Sequence, residues 1–291
     1  MQAQGLALAI GAALLFSAKA ILVKLAYPYG VSPLALLALR MGFATPFFAV
    51  IAYRSRNDGE PIRKRDWTAL LGLGVLGYYG ASYLDFVGLQ YISAGLERLI
   101  LFTYPTITLL ISVVAFGRAF RRVDLIALGL TWLGIALAFV HDVRIAEDAR
   151  AVWIGGTCIL GSAVCYAAYL AGCGELLARL GSARVSALAT CMSAAATLIH
   201  FGATSPASEL AQPWQVLALA GAMALFSTVL PVFMNLSAMQ QLGASRTAIV
   251  GSIGPVFTIA LGAVFLGEHV SATQLGGTAL VMAGVWLAGR K

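Results

Sequence analysis

Lys19 stands inside an apolar run, from Gly5 to Ala26, that carries no other charge before Lys24. A charge in hydrocarbon is costly, so an ionisable side chain there marks a functional position unless it reaches the interface or finds a partner. Lys24 lies near the outer end of the run and reads as a snorkelling side chain. Lys19 is deeper by about 7 Å at 1.5 Å per residue. Its ammonium suits a solute carboxylate, with snorkelling or a pair with Asp85 as the competing readings.

A second cluster falls between residues 78 and 86. Tyr79, Ser82, Tyr83 and Phe86 share one helical face, and Tyr78, Ser82 and Asp85 share the adjoining one. Such a face can stack on an aromatic solute while hydroxyls bond its polar end. The competing reading is an interfacial belt of tyrosines. Further candidates are Tyr104 with Thr108, Tyr166 and Tyr169 three residues apart, Asn235 with Thr228 on its approach, and Ser252. Packing between helices competes with solute contact at each. Pro105, Pro231 and Pro255 each free a carbonyl one turn back, which suits a bent helix lining a cavity. We read these three as hinges.

Asp85 and Glu97 are the plausible carboxylates for proton coupling. Glu97 and Arg98 open a helix, where the dipole alone favours an acid. Arg40, two turns into its helix and within reach of the outer surface, and Glu268, in a turn, read as structural or gating charges. No HExxH, GxSxG or paired intramembrane aspartates occur, so no residue is assigned a catalytic role and an embedded enzyme is the weaker reading. A passive pore would need filter loops or charged rings, which the sequence lacks. Cys158, Cys165, Cys173 and Cys191 lack zinc spacing and read as packing residues. No metal or other cofactor is implied.

The elements that hold these residues are long and apolar. Of 291 residues, 60% are hydrophobic and 11% charged, less than half the charge of an ordinary soluble domain. About ten spans of some 20 residues consume the chain. We place helix one at 5–26, two at 33–53, three at 67–89, four at 94–116 and five at 123–140. Helix six takes 152–178, seven 184–202, eight 213–239, nine 244–266 and ten 271–288. The formal charge of +7 follows topology and not nucleic acid, since no basic stripe carries exposed aromatics. Arg54, Arg56, Arg63, Lys64, Arg65, Arg118, Arg121, Arg122, Arg179, Arg184, Arg246, Arg290 and Lys291 all fall at one end if the helices alternate. That end, with both termini, is expected to be cytoplasmic. The partners implied are a small-molecule substrate and the lipid bilayer.

A shift of 150 residues brings the chain into register with itself: Ala94 on Ala244, Pro105 on Pro255, Thr108 on Thr258, Gly117 on Gly267, Gly134 on Gly284. Two repeats follow, at 1–145 and 146–291. Each holds an odd number of helices, so the second inserts inverted, an arrangement that secondary transporters use to place a site near the midplane.

The stretch from Ser245 to Leu287 resembles the EamA-type repeat of the drug/metabolite transporter superfamily. It does so in Gly254-Pro255, in Phe265-Leu266-Gly267-Glu268 and in the glycine-rich tenth helix. The first half carries a degenerate copy in Ser93-Ala94-Gly95, Pro105 and Phe116-Gly117, with Arg118 where the family often has glutamate. Leu39-Arg40 also fits. The resemblance implies an alternating-access carrier of small metabolites, most like the YddG-type exporters of aromatic amino acids, in a bacterial inner membrane.

Overall fold

The computed structural model describes residues 2–117 and 119–289; Arg118, Arg290 and Lys291 lie outside them. The described chain is helical, with nine helices long and apolar enough to cross a membrane and a shorter apolar one at Ala272–Ala288. Helix one is Gln2–Ala26, two Pro33–Arg54, five Arg122–Ile145, six Ala149–Gly172, seven Ser182–Thr204 and ten Ala272–Gly289. Helix three runs Lys64–Gly88, four Ala94–Ala115 and eight Trp214–Leu242. Helix nine comes in pieces, Ala244–Gly251 and Gly254–Leu261, followed by a π turn at Gly262–Leu266.

Local chemistry fixes these ends. Ser32 and Ser93 cap helices two and four through bonds from Ala35 N and Leu96 N, satisfying donors that the first turn leaves free. Asp66 accepts from Arg63 N, and Asp124 from Arg121 N, in reciprocal boxes. Helix six stops at Gly172, six residues before the expected end. A kink at Cys173 then starts a separate helix, Gly174–Leu180. Glycine, a poor helix former, stands on both sides of Cys173.

The 150-residue shift reappears in the backbone. Helix four is broken into Ala94–Leu101 and Tyr104–Phe116, and helix nine into pieces that start 150 residues later, at Ala244 and Gly254. Each break falls just ahead of Pro105 or Pro255, whose ring excludes the hydrogen bond that would have continued the helix. Helices three and eight both loosen into π turns, Val75–Gly80 and Leu225–Val229. Gly117 and Gly267 end their helices with φ of 64° and 65°, a left-handed conformation that glycine alone adopts at no steric cost.

The halves interlock. Helix one packs on helices eight and nine of the second half, helix six packs on three and four of the first, and five lies along ten. That last seam is stripped of side chains: a Cβ on Gly134 would stand 2.5 Å from Gly277 O, and one on Gly284 2.7 Å from Ala127 O. Small residues let helices approach to backbone contact, the usual source of affinity where no hydrophobic effect acts between them. Large apolar side chains such as Val114, Val264 and Ile199 point outward, at 86%, 75% and 72% exposure, as lipid requires.

Candidate functional site

Between the halves lies a cavity of about 800 Å³, large enough for a small organic solute. Its walls come from both repeats, and Ala9, Ser112, Met239 and Ala288 line the reach toward the end that holds the N terminus. Its other end is a cluster of charge. Lys19 Nζ lies 2.6 Å from Asp85 Oδ2 and 3.4 Å from Glu97 Oε1. Asp85 is 2% and Glu97 0% exposed. A buried carboxylate without a counter-ion would cost several kcal/mol, and Lys19 is the cation in direct contact with both acids. Lys19 pairs with Asp85, as one of the two competing readings of its sequence position had it, and with Glu97 as well.

Two arginines complete the cluster. Arg40, 7% exposed, bonds Thr228 Oγ1 at 3.1 Å and lies over the Phe86 ring. Arg98 donates to Ser17 Oγ at 3.3 Å, lies over Phe102 and stands against Gly254 at the break of helix nine. Both line the cavity. Arg40 therefore does not reach the outer surface. Its depth was hidden in the sequence because Thr228, the partner that holds it, lies on a helix of the other half.

Above this head the bundle is tied shut. Glu268 accepts from Ala94 N at 2.8 Å and Gly95 N at 3.3 Å, capping helix four from outside its own half, and lies 3.9 Å from Lys24 Nζ. Lys24 in turn donates to Ile92 O. Glu268 is thus a structural tie between helices one, four and nine. At the opposite end Arg179 bonds Glu60 and Asp66, and Arg184 bonds the carbonyls of Asp58 and Glu60. The two acids hold the Arg179 guanidinium more firmly protonated than usual. The links after helices two and six therefore meet at one end.

The aromatic residues divide into two groups. Tyr78, Tyr104 and Tyr166 line the cavity with Ser82, Asn235, Ser252 and Pro105. Tyr104 meets Tyr166 edge-on at 5.0 Å, Tyr166 stacks on Tyr169 at 6.1 Å, and Tyr169 meets Tyr78 at 5.1 Å. Tyr169 itself is buried behind this wall, pressed on Gly77, where a Cβ would overlap its own. Tyr79 and Tyr83 do not line the cavity: they stack on each other at 6.2 Å and pack on His200 of helix seven, with Tyr79 Oη 2.6 Å from His200 Nδ1. Pro231 and Pro255 are buried off the cavity and shape helices eight and nine. Ser17, whose hydroxyl bonds Gly254 O across the halves, and His200 carried no signal in the sequence; each gains meaning only from a distant partner.

Comparison with known proteins agrees with this architecture. An uncharacterized transporter of Bacillus subtilis (strain 168), YcbK, is 32% identical over 280 residues, 93% of this chain and 88% of that protein. The threonine/homoserine exporter RhtA of Escherichia coli (strain K12) is 27% identical over 197 residues, 67% of this chain and 62% of that protein. A chain of known crystal structure superposes with a TM-score of 0.68 over 99% of both chains, at 16% identity, a likeness of fold alone. The model of the EamA-like transporter family matches residues 3–140 and again 153–290. With two copies of that repeat, nine apolar spans and a shorter apolar helix among the described residues, and a cavity between the copies, the chain belongs to the EamA-like transporter family.

Proposed function

We propose that this chain is a secondary transporter that exports, or facilitates the passage of, amino acids, aromatic ones included, by alternating access through the central cavity. The observation that carries this is a cavity of about 800 Å³ with one charged end and one aromatic wall. A zwitterion needs charge at its head, since an uncompensated ion leaving water is prohibitive. An apolar side chain needs surface, and rings supply it with few rotamers to freeze. Tyr78, Tyr104 and Tyr166 are suited to the side chain, and the end that holds Lys19 to the head. RhtA, by its name, exports threonine and homoserine; that supports small amino acids, and the tyrosine wall supports aromatic ones.

In this reading the halves, 1–145 and 146–291, rock about the cavity, with the paired breaks of helices four and nine and the prolines at 105, 231 and 255 as flexing points. The end bearing the N terminus is cytoplasmic in a bacterial inner membrane, as its basic links favour. If a proton is coupled, Asp85 or Glu97 carries it. Purified protein in liposomes, offered the twenty amino acids, tests the reading. A carrier saturates and shows counterflow; a pore does not saturate readily, and an enzyme moves nothing.

A further inference from the structure

Lys19 lines the cavity, but its ammonium is already shared between two buried acids. The head of the cavity holds other groups that are not so engaged. Arg40 Nη1, Arg98 Nε, Asp85 Oδ1 and Glu97 Oε2 are buried and have no hydrogen-bond partner among the described residues; of the two acids, Asp85 lines the cavity and Glu97 lies behind it. Arg40, Arg98 and Asp85 all line the cavity. A buried donor or acceptor left unpaired costs as much as its desolvation, and more when charged. Buried polar groups in folded proteins are completed by protein, water, an ion or a ligand, and here they gather at the wall of a cavity.

Charge points to the same ligand. Lys19, Arg40 and Arg98 meet Asp85 and Glu97 here. Even with both acids ionised, one positive charge remains, which is the complement of a single carboxylate. The Asp85 carboxylate, which lines the cavity beside the buried Glu97, is the complement of an ammonium. Guanidinium donors suit a carboxylate better than an ammonium would, because their planar fork matches its two oxygens. The arginines are also braced from both sides of the cavity. Arg40 is held by Thr228 at the π turn of helix eight and lies over Phe86 of helix three. Arg98 is held by Ser17 of helix one and abuts Gly254 at the break of helix nine. Each therefore touches a segment whose helix is locally irregular, where backbone change is cheapest.

We propose that Arg40 and Arg98 form the carboxylate subsite of the cavity, and that Asp85 Oδ1 receives the ammonium of the same solute. Lys19 and Glu97 then hold Asp85 in place and do not touch the solute. The proposal rests on the amino-acid reading above and narrows it: the site selects for a free α-amino group and a free α-carboxylate together.

The test uses the full chain in liposomes. Counterflow of labelled phenylalanine and threonine, or of whichever of the twenty amino acids exchanges, is measured first. The amine lacking the carboxylate and the acid lacking the amine are then added as competitors; for phenylalanine these are phenethylamine and 3-phenylpropionate. Wild type should prefer the amino acid over either analogue by tenfold or more. Arg40→Gln and Arg98→Gln should each raise half-saturation for the amino acid at least tenfold while leaving competition by the amine unchanged. Asp85→Asn should erase the preference over the acid. Where a glutamine variant does not reach the membrane, Arg40→Lys or Arg98→Lys replaces it and should show a smaller loss of the same kind. The proposal is overturned if the arginine variants weaken amine and amino acid alike, if analogues compete as well as the amino acid, or if Lys19→Gln gives the carboxylate-selective loss instead. If no amino acid exchanges through wild-type protein, the amino-acid reading itself falls, and this subsite with it.

Discussion

Removing the Lys19 ammonium should destabilise the bundle more than any other single loss of charge at the cavity head. The perturbation is Lys19→Met, which keeps the length and apolar stem of the side chain and deletes only the charge. The ammonium lies 2.6 Å from one carboxylate and 3.4 Å from another, with side-chain exposures of 16%, 2% and 0% for Lys19, Asp85 and Glu97. At such burial, water screens little of the interaction. Breaking a buried pair by taking away one partner costs about 3–5 kcal/mol, mostly because the other charge is stranded. The pair as a whole is worth far less, since replacing both partners by apolar groups is often neutral. The triple variant Lys19→Met/Asp85→Asn/Glu97→Gln, which strands no charge, should recover part of what Lys19→Met loses, about 0.5–3 kcal/mol of coupling between neighbours in contact. Equilibrium unfolding in mixed SDS and maltoside micelles, followed by tryptophan fluorescence, measures both. A Lys19→Met midpoint equal to wild type would refute the reasoning, as would a triple variant no better than the single one.

Three other outcomes follow from the geometry. Tyr166→Ala should raise half-saturation for phenylalanine about threefold to tenfold more than for threonine, because one ring contact is worth roughly 0.5–1.5 kcal/mol; Tyr83→Ala, off the cavity, should leave that ratio as it is, and uptake into liposomes reads both. Single cysteines at Asp58 and Asp148, in a cysteine-free background, should label from opposite sides of the membrane, and labelling from one side would break the inverted topology. Gly284→Ala should cost about 1–3 kcal/mol by overpacking, since its Cβ would meet Thr131 Oγ1 at 2.3 Å and the Ala127 carbonyl; a folding yield equal to wild type would show that the seam yields.

Much of this architecture is legible in the sequence, because hydrocarbon imposes a length and polarity on each span that few other environments would select. The 150-residue register is legible for the same reason that Pro105 and Pro255 are: glycine and proline act on the backbone directly. What stays hidden depends on distant partners. Helix three offers two adjoining polar faces, and periodicity cannot say which one turns inward. His200, 121 residues beyond Tyr79, draws the Tyr79/Tyr83 face away from the cavity and leaves Tyr78 and Ser82 to line it. Arg40 looks like a surface charge until Thr228 is brought beside it. Glu268 looks like a turn residue until the first amides of helix four arrive from the other half. The end of helix six is hidden for a local reason: leucines continue the apolar pattern past Cys173, and the flanking glycines are the local mark of the stop.

The glycine seam between helices five and ten has a property of its own. Gly134 meets Gly277, and the positions 150 residues from each, Gly284 and Ala127, meet as well. A contact that maps onto itself when partners are exchanged is isologous, the kind made by two identical subunits about a two-fold axis. The seam thus has the form of a dimer interface whose subunits have been joined end to end. A five-helix protein that entered the membrane in both orientations would build this contact with its own second copy, and fusion would then free each half to diverge. The consequence is practical. Residues 1–145 and 146–291, expressed as two chains, should find each other through this surface, and a repeat engineered to match itself should form the whole carrier from one short gene.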